Sequence, residues 1–368
     1  MPHVAAFPAL ATLAALLPAQ TVHLVGPGGY AQINGAIAAA ASGDIVLVQP
    51  GVYEMFFLNK ALTIRATAPG AEAVLAGPGL GASNIVAPPA GATVHIAGMR
   101  LGPTYLWGTT TLDDCVIDGP RTFVAIDNAT VVVTSCRLTP VLPVPALFIP
   151  STLKCEDSEV TVIDSTIHGL GLPGGTLSTR AIELVNSRFR GSHLTVQTGP
   201  GPGPALQGDA ASRIWLSDST VVADPATCIL PVSATILAAQ GHYDRCTLSP
   251  NCSTLPAGFV LGVHAPQPPQ NGMPFVLEFR AQPNSMVGVW ADHTIAPSPL
   301  PGVEQALLLT PTHAFNVGNL IADNTGLAIG TWSVPSGAMF VDVPLWFQAF
   351  AGPLFPLQAS AIAGGLVR

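Results

Sequence analysis

The sequence predicts an all-β protein, a long stack of structural repeats followed by a second, smaller β unit. Three observations predict it. Only 9% of the 368 residues are charged while 49% are hydrophobic, and 37 Gly and 36 Pro interrupt them. That balance gives ample core material and many turns, and leaves little room for long amphipathic helices. A short phrase recurs six times between Leu112 and Leu248: apolar residues, then Asp, Asn or Ser, then Cys or Ser, any residue, and an aliphatic or Phe. Beyond Pro274 the phrase is gone, and short apolar runs alternate with turn residues.

In chain order, residues 1–20 (MPHVAAFPALATLAALLPAQ) form an apolar run ending in small residues. A secretory signal peptide with cleavage near Ala19 or Gln20 is expected, although its start carries His3 and no Lys or Arg; a buried helix is the other reading. No later stretch offers about 20 uninterrupted apolar residues, so no membrane span is expected.

The segment from Ala31 to Ile64 organises the rest of the chain. Ile33, Ala36, Ile37 and Ala40 have helical spacing, and Gly43 stands where a C-cap glycine is expected. Asp44 to Gln49 then reads as a strand, Pro50-Gly51 as a turn, Val52 to Phe57 as extended chain, and Asn59-Lys60 leads into Leu62-Thr63-Ile64. Gly43, Asp44, Val46, Val48, Pro50, Gly51 and Tyr53, followed by Lys60, Leu62 and Ile64, resemble the start of right-handed parallel β-helix proteins of the pectate-lyase-like superfamily. In those proteins a capping helix leads into a G-D-x-I-x-V-x-P-G-x-Y strand and then a K-x-L-x-I strand. The resemblance implies a right-handed parallel β-helix with an N-terminal capping helix over about residues 21–255. It carries no catalytic residue.

The repeats read LDDCVI, VTSCRL, VIDSTI, LVNSRF, LSDSTV and YDRCTL. Their Cys or Ser positions, 115, 136, 165, 187, 219 and 246, are separated by 21, 29, 22, 32 and 27 residues, a spacing typical of stacked coils. Asp114, Asp164, Asn186 and Asp218 precede these anchors, where the chain must bend sharply. Asp and Asn tolerate the left-handed conformation, so this acidic row reads as structural. The anchors should point inward, with Cys115 and Cys136 as stacked thiols. Cys155, Cys228 and Cys252 stand outside the pattern, and a bridge among Cys228, Cys246 and Cys252 stays open.

Residues 256–273 are rich in Pro and Gly and read as a linker. In 274–368 the runs FVLEFRA, MVGVWA, ALLLT, GLAIGTWSV, MFVDVPLWFQAF and FPLQASAIA predict a small β-sandwich domain. The phrase PLWFQAF, Pro344 to Phe350, resembles the C-terminal modules of secreted planctomycete-type bacterial proteins.

A net charge of −8 argues against general nucleic-acid binding. Aligning the anchors puts Arg137, His168, Arg188 and Arg190 on one outward face, with His193 nearby. At about 4.8 Å per coil they would span roughly 10 to 15 Å. Guanidinium groups match carboxylates and sulfates, so an acidic polysaccharide or cell-surface glycan is the expected partner; the same arginines would also serve to keep an apolar surface soluble. The expected function is therefore an exported, non-catalytic binding or structural protein. The alternative is a polysaccharide lyase or glycoside hydrolase. Polygalacturonase-like members carry N-x-D, D-D, G-H-G and R-x-K motifs, of which this chain has Asp113-Asp114 but neither G-H-G nor R-x-K. A lyase would draw on Lys154, Glu156, Asp157 and Arg180, with calcium as the implied cofactor; otherwise no cofactor is expected. Nine histidines occur without zinc-ligand spacing.

Overall fold

The computed structural model describes residues 20–68, 70–73, 83–120, 124–141, 151–169, 180–199, 204–222, 234–243, 251–256, 260–298, 303, 305–334, 336–352 and 357–368. The expected signal peptide up to Ala19, Cys228 and Cys246 lie outside them. The chain divides into two compact units between Thr254 and Leu255.

In the first unit the described strands pair in parallel from one coil to the next, along three ladders. The first ladder runs through Val22–Val25, Ile45–Val48, Thr63–Ala66 and Thr93–Ala97 to Glu159–Ile163, Arg188–Ser192 and the start of Arg213–Val222. The second holds Gly51–Tyr53, Ala71–Ala73, Arg100–Leu101, Val116–Pro120, Arg137–Val141, Thr166–His168 and Thr195–Gln197. The third holds Phe57–Leu58, Asn84–Val86, Ser151–Glu156, Arg180–Val185 and Leu206–Gly208, joined by the first halves of Thr104–Asp113 and Val124–Thr134. This is a parallel β-helix. Because side chains alternate across a strand, one residue in two enters the core. Val131, Val160, Phe189 and Ile214 stack in one fully buried row; each contributes roughly 1.5–3 kcal/mol by leaving water.

The capping helix is Ile33–Ala39, with Ile33, Ala36 and Ile37 buried. Its C-cap is Ala40, not Gly43. Gly43 instead takes φ +96° in the turn beyond, and the helix end is closed by Lys60, whose Nζ donates to the carbonyls of Ile37, Ala38 and Ala40 at 2.8, 3.1 and 2.7 Å. Asp44 accepts from the Thr21 and Ala41 N–H groups at 3.0 and 2.8 Å, tying the helix exit to the first strand.

The chain turns from the third ladder into the first at a left-handed residue in three successive coils, where Asn128, Asp157 and Asn186 have φ of 46°, 48° and 46°. It turns again into the second ladder at Asp114, Ser135, Asp164, His193 and Asp218, with φ between 48° and 54°. Behind each set runs a buried ladder. At the second corner the Cys115 N–H meets Cys136 Sγ at 3.3 Å, Cys136 N–H meets Ser165 Oγ at 3.0 Å, and Leu194 N–H meets Ser219 Oγ at 3.2 Å. At the first corner Ala129, Ser158 and Ser187 N–H donate to Ser158, Ser187 and Ser212 Oγ, each at 3.1 Å. Ser187 therefore belongs to a different corner from Ser165 and Ser219. The residue stacked on Ser165 is Leu194, whose neighbour Thr195 donates to the Ser165 carbonyl. The irregular steps of 22 and 32 become 29 and 25 once Leu194 replaces Ser187 between positions 165 and 219.

Cys115, Cys136 and Cys155 are free and buried, and Cys252 is disulfide-bonded. Among the described residues no helix is long and apolar enough to cross a membrane.

The second unit is antiparallel. A three-stranded sheet of Gly262–His264, Pro274–Arg280 and Leu327–Ser333 faces a four-stranded sheet ordered Phe315–Ile321, Met286–Asp292, Pro344–Ala351, Gln358–Leu366. Phe275 and Trp332 from one sheet pack on Phe347 of the other, at ring-centroid distances of 5.2 and 5.5 Å. Residues 256–273 are not a plain linker, since His264 pairs with Glu278. The strand Phe315–Ile321 lies outside the apolar runs that mark strands in the sequence, and the start of the MFVDVP run is a short 3-10 helix, Ala338–Phe340.

Candidate functional site

The corrected register separates the residues expected on one face. Arg137 and His168 face outward from the second ladder, Arg137 exposed and His168 half-buried. Burial, helped by the nearby Arg137 charge, lowers the His168 pKa. Arg188 and Arg190 belong to the first ladder. Arg188 is exposed, whereas Arg190 is 2% exposed. It lies in register between Thr161 and Trp215, both also buried. An outward direction given by strand alternation is thus not an exposed position. Arg190 Nη2 reaches Glu159 Oε1 at 2.8 Å, and burial holds the Glu159 carboxyl above its usual range against the pull of Arg190 and Arg188.

Two of the expected residues, Asp157 and Arg188, do come together at the first corner. They line an open cleft of about 440 Å³ with Thr109, Asn128, Glu159 and Asn186. The stacked left-handed residues build one wall: Asn186 Nδ2 donates to Asp157 Oδ1 at 2.6 Å, and the Asn186 N–H donates to both oxygens of Asp209 at 3.0 Å. The left-handed bend forces these side chains out of the coil. The cleft is therefore floored by serine-laddered backbone and rimmed by amides, carboxylates and the Arg188 guanidinium.

The adjoining outward face of the third ladder carries the rest of the polar chemistry. Tyr105, Ala125, Lys154, Glu183 and Gln207 follow one another in register. Two residues along, Asp127 pairs with Glu156. Tyr105 and Trp107 stack at 5.8 Å with 13° between their rings, and Trp107 Nε1 donates to Asp127 Oδ2 at 3.3 Å. Lys154 is ion-paired with Glu156, and Arg180 with Glu183 at 2.7 Å. The hydrogen bond from Lys154 to Glu156, then the charges of Glu156, Glu183 and Asp127, raise the Lys154 pKa despite its partial burial. A base that removes a proton near neutrality needs the opposite shift. The carboxylates of this face are already engaged: Asp127 accepts from Trp107, and Glu156 and Glu183 pair with Lys154 and Arg180. Sequence reasoning missed Tyr105, Trp107, Asp127 and Glu183. The readable signal was the alternation Tyr105, Trp107 ending at Gly108, where φ is +66°.

No family model and no curated protein matches the sequence. Similarity appears among solved structures. The chain is similar to the pectate lyase Pel9A. The two share 11% identity and a TM-score of 0.46 over 61% of this chain and 70% of that one. Tailspike protein 2 of Escherichia coli O157:H7 bacteriophage CAB120 matches at 10% identity and a TM-score of 0.30, over 85% of this chain and 56% of that one. An alginate lyase from Paenibacillus sp. str. FPU-7 matches at 13% identity and a TM-score of 0.23, over 61% and 94%.

Proposed function

We propose that the protein is an exported, non-catalytic binder of polysaccharide that holds its ligand along the first corner of the β-helix. The observation that carries this reading is the open cleft rimmed by Asn128, Asp157, Asn186 and Arg188, next to the stacked Tyr105 and Trp107. Amides, carboxylates and a guanidinium supply both donors and acceptors for sugar hydroxyls, and paired aromatic rings give flat apolar area for sugar C–H groups. Because Asp127, Asp157 and Glu156 share the surface with Arg188, a hydroxyl-rich neutral or weakly acidic glycan fits better than a densely anionic one. The Cys252 disulfide accords with an oxidising compartment. Lys154, held protonated, acts as a hydrogen-bond donor.

One observation favours a second reading. Asp157 and Glu159 line the same cleft, and Glu159 has a raised pKa, the composition a glycoside hydrolase needs. Glu159 is already committed to Arg190 at 2.8 Å, which leaves the binding reading in front. A panel of neutral and acidic polysaccharides, assayed for retention of the protein and for new reducing or unsaturated ends, separates the two. Retention without new ends supports binding; new ends overturn it, and neither retention nor new ends on any polysaccharide overturns both.

A further inference from the structure

The sandwich unit carries its own constellation, on the outer face of its four-stranded sheet. In Met286–Asp292 the residues Val287, Val289 and Ala291 are buried, so Met286, Gly288 and Trp290 face outward. Asn319 and Phe350 lie beside Gly288 in register, and Asn316 lies beside Trp290.

Three features make this a shaped surface. First, Asn316 and Asn319 are three apart and would point to opposite sides of a regular strand. A β-bulge between Val289 and Trp290 shifts the register past Val317 and turns both amides to one side, with Asn316 Nδ2 3.5 Å from Asn319 Oδ1. Bulges re-aim side chains in this way. The bulge is clamped from the other sheet, since Trp332 Nε1 donates to the Val317 carbonyl at 3.1 Å. Second, Gly288 sits in a central strand without the left-handed φ that would demand glycine. Glycine weakens a strand interior and often marks a close approach by something else. A Cβ there would crowd Asn319 Oδ1 at 3.3 Å and stand 4.0 Å from Trp290 Nε1, so the glycine lets the amide and the indole lie close together over the strand. Third, the accessible side chains of this face, Met286, Trp290, Asn316, Asn319, Ile321 and Phe350, include no charge, because Asp292, two residues past Trp290, is buried and accepts from the Thr310 N–H at 2.9 Å, and Trp290 is 37% exposed.

We infer that this face is a second glycan site, which takes a neutral sugar ring against the Trp290 indole with its hydroxyls bonded by Asn316 and Asn319. An uncharged aromatic wall excludes uronic and sulfated sugars, which would lose hydration without gaining an ion pair. This face belongs to the second unit and the corner cleft to the first, and neither site depends on the other.

The test uses the full chain with both Trp107→Ala and Arg188→Ala, which disables the cleft, and titrates it with hexaoses of β-linked glucose, xylose and mannose while following indole fluorescence and heat. Saturable binding of at least one hexaose, weakened tenfold or more by Trp290→Ala and by Gly288→Val and largely kept by Trp290→Phe, is the expected result. Circular dichroism and thermal melting confirm that each variant folds. Binding unaffected by these substitutions, or no binding to any hexaose, overturns the inference. A dimer that Trp290→Ala turns into a monomer, with no hexaose bound, overturns it too and makes the face an interface between copies.

Discussion

The guanidinium of Arg190 reaches back one coil to Glu159, 2.8 Å away, and both groups are withdrawn from water. Two residues earlier, Arg188 is 60% exposed by side chain and stands 3.9 Å from the same carboxylate. Breaking a buried pair strands the remaining charge, whereas an exposed pair contributes little. Arg190→Ala should therefore destabilise by about 3 kcal/mol or more, and Arg188→Ala by less than about 0.5 kcal/mol. Urea unfolding of the two variants checks this, and equal losses would show that the burial of Arg190 is wrongly assigned.

The two buried ladders should share the load of the corners. Ser187→Ala removes the acceptor for the Ser158 N–H, leaving a buried donor unsatisfied at about 1–3 kcal/mol. Ser158→Ala should cost about as much, through the Ala129 N–H. The pair should be non-additive because the residues touch. A double mutant whose melting shift equals the sum of the single shifts would contradict the ladder.

His95 predicts a pH dependence. It is buried, its Nδ1 is 2.8 Å from Thr111 Oγ1, and burial lowers its pKa from 6.5 to about 4. The folded state thus favours the neutral ring. The stabilisation is complete above the unfolded value of 6.5 and is lost as pH falls through about 4, by at most about 3 kcal/mol. The lowered carboxyls Asp44, Asp209 and Asp292 act in the same direction, but only below their ordinary value of 3.8. Unfolding at neutral pH and near the lowered value of about 4 should differ in the native protein, and His95→Gln should flatten the difference. An unchanged slope in that variant would sink the assignment.

Cys115, Cys136 and Cys155 should behave as inert core residues. All three are buried, and burial pushes the Cys136 and Cys155 thiols far up. Thiolates are the reactive form. An aromatic disulfide reagent should titrate none of them in the native protein and all three in denaturant; rapid native labelling would contradict the packing.

Much of the fold is legible in the sequence. The Ala31 to Ile64 segment announces the cap and first coils because each of its marked residues has a local role, with Lys60 closing the helix, Asp44 holding Thr21 and Ala41, and Gly43 taking a left-handed turn. The left-handed Asp and Asn corners are legible for the same reason. The arginine line is not, because both corners of a coil solve the same bend with the same phrase. Asn186-Ser187 looks like Asp164-Ser165 yet stacks on Asp157-Ser158, a pair that the repeat pattern passes over. Local chemistry specifies that a corner is needed and is silent about which one. Exposure is equally hidden, since alternation gives the direction of Arg190 but not what lies over it.

Trp107 and Arg188 should hold a polysaccharide at the first corner. The most direct measurement is the affinity of the full chain for whichever polysaccharide retains it, set beside Trp107→Ala, Arg188→Ala and Arg137→Ala. Losses of about tenfold for each of the first two, about 1.4 kcal/mol apiece, with Arg137→Ala unchanged, are the predicted result. Equal affinity in Trp107→Ala and Arg188→Ala, or a loss confined to Arg137→Ala on the second ladder, would contradict it.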